Sequence, residues 1–191
     1  VPNATAAFAE WNTLNSWGAA AKGTVVVENF EDTTLEPEIA SISPANYNGY
    51  SGGIDTGLGG RYLDRVGDDG AGTTASTVFS FSTLVDGVGG FWDLSVSGPG
   101  TAINLFVGST LVSTLTPTLP SSLTGEFFGF TSTVYFNAFE IRADGAGQET
   151  YGIQDLYISA VPLPAAVWLF GSAVIGMGVI GRRKRAANLQ V

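Results

Sequence analysis

From Phe91 to Ser97 the sequence FWDLSVS alternates apolar and polar side chains. A period of two sets Trp92, Leu94 and Val96 on one face of a strand and Asp93, Ser95 and Ser97 on the other. Ile103, Leu105 and Val107 repeat it. Comparable runs predict strands at Thr24–Phe30, Arg61–Val66, Thr77–Phe81, Phe91–Ser97, Ala102–Val107, Thr110–Leu115, Glu126–Phe130, Val134–Arg142 and Tyr151–Ser159. About nine short strands with Gly- and Ser-rich connections predict a mainly β fold, an antiparallel, jelly-roll-like β-sandwich over residues 23–160. Pro117 and Pro120 mark a loop that should separate two halves of its core.

The pattern changes at both ends. In FAEWNTLNSW, Phe8, Trp11 and Leu14 recur at intervals of three and predict a short N-terminal helix within residues 1–22, capped by Asn3 or Thr5. Either this helix covers one end of the sandwich, or Phe8, Trp11 and Trp17 rest on a membrane or a partner. From Pro164 to Gly181 no residue is charged, and as a helix this run would extend about 27 Å, close to the thickness of a hydrocarbon core. One C-terminal transmembrane helix over 164–181 is therefore expected. Pro164 is tolerable in its first turn, and Ser172 and Gly176 form a small-xxx-small pair suited to helix packing.

Charge sharpens that expectation. Four of the eight basic residues are Arg182, Arg183, Lys184 and Arg185, so residues 1–181 carry four basic against seventeen acidic groups, a balance of −13. A basic stop after an apolar run places residues 182–191 in the cytoplasm and the domain on the other side of the lipid bilayer. An acidic domain repels phosphate backbones, which excludes nucleic acid as a natural partner. The chain begins at Val1, as expected once a secretory signal peptide has been removed.

With no Cys and no His, thiolate nucleophiles, imidazole bases and the usual zinc ligands are excluded, and any metal must be held by oxygen. The spacing of Ser, Asp and Glu singles out no catalytic constellation, so no enzyme activity is expected. GLGGRY lacks the last glycine of a dinucleotide loop, and Gly-Lys-Ser/Thr is absent. The irregular stretch PANYNGYSGGIDTGLGG reads as a connector, or as a loop presenting Tyr47 and Tyr50 to a sugar ring.

Residues 161–185, VPLPAAVWLFGSAVIGMGVIGRRKR, resemble a PEP-CTERM sorting tail in the variant that opens Val-Pro-Leu-Pro-Ala. The resemblance implies a sorting motif at Val161, Pro162, Leu163, Pro164 and Ala165, read by an exosortase, a membrane-embedded cysteine protease of Gram-negative bacteria. It also implies association with exopolysaccharide or biofilm. Leu163 stands where the motif's name has Glu, and AANLQV extends past the basic cluster. Independently, Pro162 and Pro164 push Val161 and Leu163 into extended backbone, so the last strand should end near Ser159. VVVENFEDTT and YGIQDLYIS resemble the first and last strands of jelly-roll domains found in carbohydrate-binding modules and surface proteins. That resemblance implies a structural Ca²⁺ held by Glu28, Glu31 and Asp32 with Gln154, or with Asp155 if the strand is bulged there; the alternative is a solvated acidic turn. No other cofactor is required.

Three functional classes follow. The first is a non-catalytic envelope protein, single-pass in the bacterial inner membrane with a periplasmic N-terminal domain, sorted to the cell surface. The second is an accessory subunit of a membrane complex, photosynthetic or respiratory, whose helix packs on neighbouring helices while the domain caps the periplasmic face. The third is a lectin-like glycan-binding module, tested by replacing Tyr47, Tyr50 or Trp92, although Trp92 belongs by its alternation to the core.

Overall fold

Most of the predicted alternation becomes strand. The computed structural model describes residues 8–68, 74–95, 99–119 and 124–161. Among the described residues there are eleven strands: β1 (Phe8–Trp11), β2 (Thr24–Glu28), β3 (Ile39–Ser43), β4 (Gly53–Asp55), β5 (Arg61–Asp68), β6 (Thr74–Ala75), β7 (Thr77–Leu94), β8 (Thr101–Val107), β9 (Thr110–Leu119), β10 (Thr124–Ala143) and β11 (Gly147–Ala160). All pairings are antiparallel, and the main path runs β4-β5-β11-β7-β10-β8-β9. β11 ends at Ala160, one residue past the predicted end. Val161 is then pinned to β7 by donating its N–H to Leu84 O at 2.8 Å.

Longer strands replace part of the predicted set. Thr77–Phe81 and the Phe91–Leu94 part of the predicted Phe91–Ser97 strand fall on the single strand β7, and Glu126–Phe130 and Val134–Arg142 on β10, while residues 96 and 97 lie outside the described residues. The intervening Asp86-Gly-Val-Gly-Gly and Thr131-Ser-Thr stretches look like turns in sequence, yet they continue both ladders with bulges. The register jumps between Thr131↔Gly87 and Phe136↔Val85, so four β10 residues oppose Asp86 alone. Strands bent by bulges are how a sheet passes from one layer to the other. The first half of β7 pairs with β3 and the second half of β10; its second half pairs with β11 and the first half of β10.

The two layers meet over an aromatic core. Phe79 on β7 stacks on Phe139 at 4.7 Å and meets the edge of Tyr62 on β5 at 5.3 Å, although β5 and β7 share no ladder. Trp92 and Leu94 are buried, as their alternation predicts, and the Trp92 indole donates to Phe128 O at 3.0 Å. Ile103 and Leu105 are buried likewise, whereas Val107 is 40% exposed at the end of β8.

The N-terminal helix is displaced from its predicted place. Phe8–Trp11 pairs with β10 as an edge strand, and the helix α1 runs from Leu14 to Ala20. Thr13, not Asn3 or Thr5, is its cap, with Oγ1 accepting from Ser16 N. The interval of three fails as a helix signal because Asn12 and Thr13 favour a cap over a helix interior. Trp17 is fully buried over Gly87 and Gly129, so α1 covers a face of the sheet rather than the end of the sandwich expected for it.

The expected transmembrane helix and single-pass inner-membrane placement are corrected. Among the described residues no helix is long and apolar enough to cross a membrane. Crossing takes about 20 helical residues, and α1 has seven. The run 164–181, with Ser172, Gly176, the basic cluster 182–185 and sorting-motif residues 162–165, lies outside the described residues.

Candidate functional site: an aromatic sheet face

The layer containing β11 carries its chemistry on the face turned away from the core. Registers across the sheet place Val27, Tyr157, Gly89, Gly129 and Trp11 in one row, and Val25, Ser159, Gly87, Thr131 and Ala9 in the next. Three glycines in the middle of these rows leave a trough that aromatic rings fill. A methyl group on Gly129 would come within 2.7 Å of Trp17 Cδ1, and one on Gly89 within 2.6 Å of Phe127 Cζ. Trp17 is locked there by an indole N–H bond to Phe130 O at 3.1 Å.

Above this floor, Phe91, Phe127 and Tyr157 form a triangle of edge-to-face contacts. Their centroids lie 5.6 Å apart for Phe91–Phe127, 6.1 Å for Phe127–Tyr157 and 6.3 Å for Phe91–Tyr157. Trp17 touches both Phe127 and Tyr157. Trp17 and Phe127 are buried, while Phe91 and Tyr157 stay partly exposed beside the exposed Val25 and Val27. The four rings fix one another, since edge-to-face pairs contribute about 0.5–1.5 kcal/mol each beyond their burial.

Simple alternation does not put Tyr157 there. Tyr151 and Ile153 face the core, and an unbroken period of two would turn Tyr157 inward with them. Asp155 adopts φ 50°, and the β11–β7 register shifts between Gln154 and Tyr157. This bulge resets the phase, so that Leu156 and Ile158 continue the core while Gln154 and Tyr157 share the outer face. It is the bulge on which the Asp155 alternative depends.

Polar groups border the rings. Gln154 stands opposite Phe91 in register, close enough for their side chains to meet. Asp93, two residues along on the same face, pairs with Arg61 at 3.5 Å and leaves half its side chain exposed. Arg61 Nε has no protein partner. The Tyr157 hydroxyl is held above the ordinary tyrosine value, first by burial and then by the Asp155 carboxylate, so it remains a neutral donor.

The residues proposed from sequence go elsewhere. Tyr47 and Tyr50 flank a tight turn in which Asn48 and Gly49 both have positive φ, the Asn-Gly signature of a hairpin. The Tyr47 ring lies on Gly67, and Tyr50 lies 4.7 Å beneath the Arg65 guanidinium. Glu28 is buried, with Oε1 accepting from Phe30 N and Oε2 from Glu36 N, both at 2.8 Å. Asp32 Oδ1 accepts from Thr34 N at 2.6 Å, Glu31 is exposed, and Gln154 Nε2 reaches Gly59 O at 3.4 Å. Among the described residues no three His, Cys, Asp or Glu side chains converge to hold a metal ion.

Two further buried carboxylates, Asp64 and Glu149, are spent as Glu28 is. Asp64 accepts from Ala45 N at 2.9 Å and from Thr77 Oγ1 at 2.5 Å. Glu149 accepts from Ser95 N and Gly100 N, each at 2.8 Å. Both tie loop backbone to the sheet, a structural use that leaves no acid–base pair at these positions.

No family model matches the sequence, and no curated protein matches it. Among solved structures, the chain is similar to carbohydrate-binding modules. A family 29 module mutant complexed with mannohexaose is 12% identical, with a TM-score of 0.43 over 73% of this chain and 94% of that one. A second family 29 mutant, complexed with cellulohexaose, is 12% identical with a TM-score of 0.40, over 73% and 93%. A low-affinity xylan-binding module from the gut symbiont Roseburia intestinalis is 8% identical with a TM-score of 0.39, over 72% and 96%. The likeness is too loose to transfer any residue role. No match supports the sorting-tail resemblance.

Proposed function

We propose that the domain is a non-catalytic glycan-binding module that holds a neutral polysaccharide against Phe91 and Tyr157. The observation that carries this reading is the pair of partly exposed rings, fixed from below by Phe127 and Trp17 and bordered by Gln154, Asp93 and Arg61. A pyranose has an apolar C–H face that suits an aromatic ring, and equatorial hydroxyls that suit an amide and a carboxylate–guanidinium pair. Rings already held by their neighbours lose little freedom on binding, which favours affinity. The balance of −13 over residues 1–181 disfavours uronate or sulfate polymers at low salt, which selects a neutral chain.

Affinity electrophoresis tests this reading. The protein should be retarded in gels containing a neutral mannan, glucan or xylan and run freely through polygalacturonate. Retardation by polygalacturonate alone, or by none of the polymers, would overturn it.

A further inference from the structure

The aromatic face is closed on one side. Residues 17–23 cross its strands in turn: the Trp17 indole donates to Phe130 O on β10 at 3.1 Å, Lys22 N to Asp86 Oδ2 on β7 at 3.0 Å, and Gly23 N to Ser159 Oγ on β11 at 2.9 Å. An α-helix with its side chains is about 10 Å across, so α1 stands on the sheet as a wall taller than a sugar ring lying flat beside it. A chain laid straight along the strands, from Phe91 toward Ser159, would run into that wall.

The line through the two exposed rings avoids it. Phe91 lies on β7, and Tyr157 lies on β11 one row nearer α1. The same oblique step carried on to β2 reaches Val25 and Val27, the register partners of Ser159 and Tyr157, which are 42% and 39% exposed. Among the described residues β2 forms a ladder with β11 alone, so no further strand bars the way. The strip from Phe91 through Tyr157 to Val27 crosses two strand spacings, about 10 Å of sheet. It is flanked by α1 on one side and by Gln154, which reaches Gly59 O at 3.4 Å, on the other.

We infer, resting on the glycan-binding reading above, that the site takes an interior stretch of a linear chain laid obliquely across β7, β11 and β2 beside α1, with Val25 and Val27 as the contact beyond the rings. Valine offers no side-chain hydrogen bond, so these two residues select an apolar sugar face as the rings do. Their branched side chains populate few rotamers, and little freedom is lost when a ligand covers them. A disaccharide covers the rings alone, whereas a longer chain also covers the valines.

Titration calorimetry of the full chain with a neutral disaccharide, a hexasaccharide and a long linear polymer of the same sugar tests the path. The hexasaccharide should bind about tenfold or more tighter than the disaccharide, and the polymer should take up several protein molecules per chain. Val27→Tyr sets a third ring beside Tyr157 at a strand position that accepts aromatics, and should tighten hexasaccharide binding about threefold. Val25→Ala with Val27→Ala should weaken it about threefold. Leu111→Tyr, equally exposed on β9 but off the path, should leave it unchanged. A disaccharide that binds as tightly as the hexasaccharide, one protein per polymer chain whatever its length, or unchanged affinity in both Val27 variants would overturn the path and leave a two-ring site. Absence of binding to any glycan would overturn the path and the glycan-binding reading together.

Discussion

At the residue scale, the outer face depends on two departures from regular strand: a bulge and a set of missing side chains. Asp155 tolerates the left-handed conformation better than most residues, and its bulge decides which face Tyr157 occupies. Gly129 matters for what it lacks. Gly129→Ala would press a methyl group against Trp17 and the Gly89 backbone, and should cost about 1–3 kcal/mol, the range for overpacking. Chemical denaturation would measure the loss, and unchanged stability would show that Trp17 does not sit on Gly129. Little of this was legible in the sequence. Alternation places Phe91 with Asp93 on the outer face of its strand, a signal that could have identified Phe91. Nothing in YGIQDLYIS announces the bulge that re-aims Tyr157. Tyr47 and Tyr50 drew attention because Gly-rich loops often carry binding residues, but Asn48-Gly49 already spells a hairpin turn.

At the element scale, period-two patterning located nearly every long strand and misjudged their ends. Gly87, Gly89 and Gly90 look like a turn, because glycine weakens a strand and has no side chain to show alternation. In the fold Gly87 and Gly89 are floor for rings from other elements, a tertiary reason that no local window contains. The loops between strands are held by carboxylates. Glu149 bonds the end of β7 through Ser95 and the entry to β8 through Gly100. Glu149→Ala would strand the Gly100 donor and leave Ser95 N–H its bond to Thr150 O alone, and should cost about 1–3 kcal/mol. Hydrogen exchange at Gly100 reports the effect directly, and protection there equal to wild type would refute the staple.

At the scale of the whole molecule, the layers close over phenols that cannot easily ionise. Burial, then the Asp64 carboxylate, pushes the Tyr62 hydroxyl well above the ordinary tyrosine value, and burial does the same to Tyr151. In the unfolded chain both titrate near pH 10. The unfolded state therefore releases these protons first as pH rises. Stability is fully kept below about pH 10 and falls from there toward the raised folded values. Denaturation midpoints between pH 8 and 11 would check this, with Tyr62→Phe and Tyr151→Phe flattening the decline. The neutral Tyr157 donor implies that glycan binding stays level from pH 6 to 9.

Titration calorimetry with a neutral hexasaccharide drawn from the retarding polymer puts the central proposal to its most direct test. Phe91→Ala and Tyr157→Ala should each weaken binding by about tenfold, equivalent to roughly 1.4 kcal/mol, while Tyr50→Ala, on the Arg65 side of the connector, should bind as wild type. Binding that survives the loss of both Phe91 and Tyr157, or that disappears in Tyr50→Ala alone, would contradict the assignment of the aromatic face.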